Sequence, residues 1–457
     1  MEYALIAIAG VIATLSIVFA PIAKTVNTFF SGSSSQGEAP SLITLTFSQV
    51  TTWIFARSLM NAAILGYYYG IWGTLAYALY YLSFLTGGKI IDKLRFEQGF
   101  ASVQDFLQAR FGRMGVTCYN IVIIIRLVSE VFANLLVIGM LFGMAGSNAY
   151  ILAIIAFSAV TLLYSMLGGL HASLKTDVLQ MSIFVFVLLM LLATVLGSGQ
   201  FAIADLAFKE FQFDQPGPIL MLVALLQIWS YPMHDPVMMD RGFIADRDTT
   251  RKSFYHAAWI SIICIIAFGV LGVWAGAHAG EGDTMNTVLI RLLGDWPMLL
   301  FSTTLVVSAM STLDSTLSSS AKLIAVDMRL VGTSVKNGRV IMLVFMLLGL
   351  LCVFFGNQDL FSAVAVSGTA SLFLAPVVFF SIFGKQKNIP SWSYLFAFMI
   401  AILGAGLYFL ESSGHTQWLG DAHKYTKLLI ISLVILVTGC ALFFVGQLSY
   451  SRNRSLN

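Results

Sequence analysis

The sequence predicts an all-α polytopic membrane protein, and three observations carry that reading. The composition is 58% hydrophobic and only 10% charged, with a mean hydropathy of +0.87, outside the range of water-soluble domains. Apolar runs recur along the whole chain, about thirteen of them at roughly 20 residues per span. The loops between them alternate between basic-rich and basic-poor. Four cysteines (Cys118, Cys264, Cys352, Cys440) fall in apolar stretches without paired spacing, so neither a disulfide framework nor a metal site is expected.

The first run, 3–22, opens on Met1-Glu2 rather than a basic stretch and lacks a clear small-residue cleavage site, so it reads as a span and not a leader. A short polar linker, SGSSSQGEAP (31–40), separates it from runs at 40–67 and 71–88. Next, ASVQDFLQARFG (101–112) places Phe106, Leu107 and Phe111 on one side of a short amphipathic helix, with Ser102 and Asp105 suited to its first turn. Runs at 115–144, 148–167 and 173–197 follow. The run 218–240 contains WSYPMHDP (229–236), where Pro232 and Pro236 predict a broken helix. The stretch RGFIADRDTTRKS (241–253) reads as a charged, solvated loop. The last runs are 253–277, 297–327, 338–355, 360–383, 391–410 and 425–448, after which the chain ends in SYSRNRSLN with no soluble domain expected.

Basic residues set the orientation. With the N-terminus outside, the inner loops receive Lys24, Lys89, Lys93, Arg95, Arg110, Arg113, Lys175, Arg247, Arg251, Lys252, Arg329, Lys336, Arg339, Lys385, Lys387, Arg452 and Arg454. The outer loops keep only Lys209, Arg291, Lys424 and Lys427, beside Asp205, Glu210, Asp214, Glu281, Asp283 and Asp295. This asymmetry predicts a plasma or inner-membrane protein with an outside N-terminus and a cytoplasmic C-terminus.

One span is unlike the rest. Residues 308–327, SAMSTLDSTLSSSAKLIAVD, place Ser308, Ser311, Ser315, Ser319 and Lys322 at helical spacing, so one face is polar. Such a stripe must face protein, water or an ion. Thr312 beside Ser311 and four residues after Ser308 brings three hydroxyls into one turn, the neutral oxygen chemistry a sodium ion needs. The plainer reading is that these hydroxyls bond the carbonyl four residues earlier and let helices pack closely.

Three stretches together resemble the sodium/solute symporter family: GGLHASLKTDVLQ (168–180), SAMSTLDSTLSSS (308–320) and ASVQDFLQARFG. That resemblance implies a LeuT-like core of two inverted five-helix repeats, here 40–197 and 218–383. An extra helix within 1–30 precedes it and two peripheral helices within 391–448 follow. The first helix of each repeat would be broken at mid-membrane. The candidate for the first break is TFSQVTTWIF (46–55), which has neither Gly nor Pro.

By the same resemblance, sodium would be held by carbonyls of Phe47, Val50 and Ser308 with the hydroxyls of Ser311 and Thr312. Some family members use an acid matching Asp177, with hydroxyls one turn later, for a second sodium; here those positions are Asp314 and Ser315. Two carboxylates brought together need a cation or a shared proton, so Asp177, Asp314 and Ser315 are a candidate second cation or proton site. Arg57, Arg126 and Glu130 are the other ionisable groups deep in spans. Arg126 and Glu130 can pair at i, i+4, while either arginine could hold a substrate carboxylate by a forked contact. Thr51 and Thr52 flank the first break, and Gln227, Trp229, Tyr231, His234 and Asp235 flank the second. Tyr231 matches an aromatic inner gate of sugar-transporting members. Ser367, Gly368, Thr369 and Ser371 are candidates to close the cavity, and His234 has no partner at metal-ligand spacing. Gln49 stands where proline transporters have an acid, which argues against their substrate.

The expected function is sodium-coupled symport of a small polar solute, with an organic acid or amino acid favoured by the arginines, by alternating access. The expected partners are that solute, sodium and the lipid bilayer. No enzyme activity, nucleotide or nucleic acid is expected, since no P-loop is present. The rival readings are a proton-coupled transporter using Asp177 and Asp314, a solute sensor, and a scaffold subunit.

Overall fold

The computed structural model describes residues 2–33, 36–199, 201–206, 210–355 and 360–455; residues 34–35 of the expected linker, and Lys209, lie outside the described residues. Among the described residues the chain is helical throughout. Helices α1 (Glu2–Phe19), α2 (Val26–Ser31), α3 (Leu42–Trp53), α4 (Ala56–Leu79), α5 (Ser83–Ile91), α6 (Val103–Phe142) and α7 (Asn148–Gly197) form the first part. Helices α8 (Pro216–Gln227), α9 (Tyr231–His234), α10 (Pro236–Gly242), α11 (Arg247–Ala277), α12 (Met285–Leu293), α13 (Asp295–Lys322) and α14 (Val335–Phe355) follow. Then α15 (Leu360–Ala370) runs through α16 (Leu374–Pro376) to Phe383, before α17 (Ser391–Ser412) and α18 (Lys424–Ser455). Among the described residues, eight stretches are long and apolar enough to cross a membrane.

Hydroxyl and carboxylate caps start many of these helices. Ser41, Ser102 and Ser147 accept from the amides of Thr44, Asp105 and Tyr150, and Asp246 caps both Asp248 and Thr249. Glycines divide the longest ones. Gly112 (φ 68°) separates the amphipathic 103–111 turn from the span beyond, and Gly169 (φ 57°) splits the 50-residue α7. Only glycine adopts that left-handed backbone without strain. At Gly169 the need is twofold, because an added Cβ would lie 2.8 Å from Phe29 Cγ.

The centre of the molecule is α13, whose apolar window is 94% buried. It packs against α7, α6, α14, α4, α1 and α3. The most extensive contact joins α4 to α11, where Gly66, Gly269, Gly272 and Gly276 bring backbones together; a Cβ on Gly272 would run into the carbonyl of Ala63. Small residues at such seams let helices approach closely where lipid supplies no hydrophobic drive between them.

Two helices break in mid-course. Between α3 and α4 the backbone leaves the helical region at Ile54 (ψ 68°) and Phe55 (ψ 149°), at the far end of the predicted TFSQVTTWIF stretch. Between α8 and α10 it unwinds through Ile228–Ser230 and again at Asp235, around the predicted prolines.

Candidate functional site

A broken helix leaves carbonyls without helical partners, and buried carbonyls must find donors. Here hydroxyls from neighbouring helices supply them. Tyr81 donates to Trp53 O (2.8 Å), Ser308 to Ile54 O, Thr86 to Ile228 O (2.6 Å) and Tyr119 to Met233 O (2.7 Å). The Ser308 contact ties the first break directly to the hydroxyl face of α13.

Around that tie lies the expected cation site. Ser311 donates to Asp177 Oδ1 (2.6 Å), and Ser48 of α3 donates to Asp177 Oδ2 (2.6 Å). Thr312 Oγ1 donates to Ser308 O (2.9 Å), so two of the expected ligand oxygens already adjoin, with lone pairs left to accept a cation. Ser308, Ser311, Thr312 and Asp177 are all buried. Phe47 and Val50 sit within α3 before the break, and Val50 O accepts the amide of Ile54 (2.9 Å). Part of the hydroxyl stripe follows the plainer reading: Thr316 bonds Thr312 O and Ser318 bonds Asp314 O.

Asp314 and Ser315 join the same cluster through α7. Ser173 donates to Asp314 Oδ1 (2.9 Å) and lies 2.8 Å from Ser315 Oγ, while Thr176 donates to Asp314 Oδ2 (3.0 Å). The structure adds a residue the sequence reading placed elsewhere. Arg241, expected in a solvated loop, is fully buried at the end of α10. Its Nη2 lies 2.8 Å from Ser315 Oγ, 3.3 Å from Ser173 Oγ and 3.6 Å from Asp177 Oδ2; its Nε donates to Ser48 (3.0 Å). The solvated loop is therefore shorter than predicted, with α11 already begun at Arg247. The signal that could have found Arg241 is charge: two carboxylates in the bundle demand a counter-cation, and Arg241 directly follows an apolar run.

A second charged set lies nearer the breaks. Arg126 pairs with Glu130 along α6 as the spacing predicts, but Glu130 also holds Arg57 (3.0 Å) and Arg126 also holds Asp235 (2.9 Å). Two cations thus meet two anions. Asp235 additionally caps α10 through Met238 N (2.9 Å). Both guanidinium groups also lie over the Phe55 ring, at 5.3 and 5.5 Å.

Beside this set is a chamber lined by Trp53, Phe55, Ser58, Tyr77, Tyr80, Tyr81, Gln227, Tyr231 and Ala365. Tyr231 packs edge-on to Trp53 (centroids 5.5 Å apart). Gln227 accepts from Tyr80 (3.0 Å) while its Nε2 has no partner. Ser367 lies 3.0 Å from His234 Nε2, and Ser371 3.3 Å from Ser230. Thr51 is buried nearby, and Thr52 bonds back to Ser48 O (2.6 Å). Gln49 is 1% exposed with neither amide atom paired. The sequence reading missed Tyr77 of α4 and Tyr80 and Tyr81 just beyond it, although the density of aromatics in YYYGIWGTLAYALYYL was visible.

A profile of the sodium:solute symporter family matches residues 29–391. The chain belongs to this family. Its membership makes the protein a transporter, of a family built on sodium-coupled symport. The fold agrees. A sodium-coupled sialic acid symporter, solved substrate-bound and outward-open with a novel sodium site, superposes with TM-score 0.73 at 15% identity, covering 97% of each chain. Mhp1, a nucleobase-cation-symport-1 family transporter solved closed with bromovinylhydantoin bound, gives 0.56 at 13% identity over 94% of this chain and 96% of that one. A manganese transporter of Eremococcus coleocola gives 0.50 at 14%, with the same coverage. The symporter therefore has a LeuT-like fold. A sequence search of curated proteins finds no match.

Proposed function

We propose that this symporter carries a small polar solute into the cell with sodium, by alternating access. The observation that carries the proposal is the meeting of Ser308, Ser311 and Thr312 of α13 with Asp177 of α7 at the broken α3–α4 helix. That set offers a desolvated monovalent cation one carboxylate and several neutral oxygens. Sodium binding there holds the break against α13, and its release inside frees the break to move. Ser308, Ser311 and Thr312 with Asp177 are the proposed sodium residues, completed by carbonyls of the Phe47–Val50 turn. Asp177, Asp314 and Ser315 form the proposed second cationic locus.

The layout proposed is about thirteen spans, with inverted repeats over 40–197 and 218–383, an outside N-terminus and a cytoplasmic C-terminus in the plasma or inner membrane. The apolar part of helix α1, Tyr3–Phe19, is short for a span; the proposal counts it as crossing.

Solute is proposed to bind in the chamber between Trp53 and Tyr231, with Tyr231 closing the inner exit. The arginines that favoured an acid are already matched by Glu130 and Asp235. The lining is aromatic rings with the Ser58 hydroxyl and the Gln227 amide, which suits a flat or ring-bearing polar solute. The test is uptake into proteoliposomes of a panel of ring-bearing and acidic solutes under an inward sodium gradient. Sodium-dependent, saturable uptake of at least one supports the proposal. Uptake driven equally by a proton gradient without sodium, or none across the panel, refutes it.

A further inference from the structure

We infer that the solute of this symporter is uncharged and carries an amide-type carbonyl, which the Gln227 amide and the Trp53 indole bind as hydrogen-bond donors. The inference rests on the chamber reading above and deepens it.

The first argument is charge. The chamber lining is aromatic apart from Ser58, Gln227 and Ala365, and none of its side chains is ionised at neutral pH. The cations packed on its rings are Arg57 and Arg126: both lie over Phe55, and Arg126 also lies over Tyr231 at 5.6 Å. Glu130 and Asp235 already match them, so the rings that line the chamber are backed by a neutral set. An acid or an amine would lose its hydration here with no opposite charge to receive it. An uncharged solute avoids that cost.

The second argument is hydrogen bonding. Three tyrosine hydroxyls stand in the lining, and each gives its proton to the protein: Tyr77 to Ser58 Oγ (3.1 Å), Tyr80 to Gln227 Oε1 (3.0 Å) and Tyr81 to Trp53 O (2.8 Å). The bond from Tyr80 also orients the Gln227 amide and leaves its Nε2 without a partner. Trp53 Nε1 is unpaired as well. These residues are 1% and 3% exposed, and both nitrogens can only donate. A buried donor with no acceptor is costly, so an acceptor brought by the solute is favoured. A carbonyl oxygen has two lone pairs for two such donors.

The third argument is space. The chamber encloses about 30 Å³, room for little more than water, so a solute enters only as a ring gives way. Tyr231 meets both Trp53 and Tyr80 edge-on, at 5.5 and 6.0 Å between centroids. Behind the amide, Gly368 leaves the room it needs: a Cβ there would stand 2.9 Å from Gln227 Oε1 and push the amide off Tyr80.

The experiment is thermal stabilisation of the purified full chain, in sodium, by trios of probes that share a skeleton and differ in one group: benzamide, benzoate and benzylamine, and acetamide, acetate and ethylamine. Wild type should bind an amide at least about tenfold tighter than its matched acid and amine. Gln227→Glu keeps the size but presents acceptors, and should bind the amine of that trio tighter than the amide. Trp53→Phe, which keeps a ring and deletes the donor, should weaken the amide about tenfold and carries the test if Gln227→Glu does not fold. Stabilisation by no amide, or by an acid or amine ahead of its amide in a way that Gln227→Glu alters, overturns the inference and leaves the chamber standing. A solute that binds with sodium but is indifferent to both Gln227→Glu and Trp53→Phe refutes the chamber reading itself.

Discussion

Neutralising Glu130 should destabilise the symporter in a way that a second substitution repairs. Glu130 Oε1 accepts from both Arg57 and Arg126, and Arg126 reaches on to Asp235 (2.9 Å), all at 1–3% side-chain exposure. Glu130→Gln keeps the shape and one acceptor oxygen, so no cavity term enters. It leaves two buried guanidinium groups facing one carboxylate. Breaking a buried pair from one side costs about 3–5 kcal/mol, whereas replacing both partners is often close to neutral. Adding Arg57→Met restores neutrality, with Arg126 and Asp235 still paired. The double variant should therefore be more stable than Glu130→Gln alone, with a coupling of about 2–3 kcal/mol. The assay is a double-mutant cycle on unfolding in mixed detergent. Losses that merely add, leaving the double variant weaker than either single one, would show that the four groups do not act as one neutral set.

Three smaller predictions follow from the same geometry. Ser308→Ala removes the hydroxyl donor to Ile54 O at the first break and should cost about 1–3 kcal/mol; Ser318→Ala, whose hydroxyl bonds only Asp314 O within its own helix, should cost much less in the same unfolding measurement. Gly169→Ala should lower thermal stability more than Gly70→Ala: both need positive φ, about 1–2 kcal/mol for a non-glycine, but only at Gly169 does the new methyl press on Phe29. Hydrogen bonds from Lys93 and Lys385 hold the Glu97 carboxyl below its ordinary range. That tie is complete above pH of about 4.3 and is lost as pH falls through the lowered folded value. Glu97→Gln should remove this contribution from the acid side of a stability profile, and an unchanged acid limb would contradict it.

The sequence made the helical plan legible because a bilayer demands long apolar runs and because caps such as Ser41, Ser102 and Ser147 mark the starts. The second break was legible in Pro232 and Pro236. The first was not, since Ile54 and Phe55 are apolar residues that carry no signal of their own. The non-helical backbone there is sustained from outside, by Tyr81 bonding Trp53 O and Ser308 bonding Ile54 O. Ser311 and Thr312 could be singled out by helical spacing alone. What spacing could not supply was the cation facing Asp177. Arg241 lies at the border between an apolar run and a charged stretch, and sequence places such a residue in water by default. Only the packing of α10 against α3 and α13 brings its guanidinium inside, where it also reaches Ser173 of α7. The acid-binding role considered for Arg57 and Arg126 has a similar origin, since Asp235 is remote from both in sequence.

The central claim is that Ser311 and Thr312, with Asp177, hold sodium. Its most direct test is the thermal stability of the purified protein across a sodium titration at constant ionic strength, in wild type and in Ser311→Ala/Thr312→Ala. At 100 times its dissociation constant, sodium should stabilise wild type by roughly 2.7 kcal/mol, saturably and without a matching response to potassium, and the double variant should lose that gain. A sodium response that survives in the double variant, or a wild type indifferent to sodium, would contradict the account.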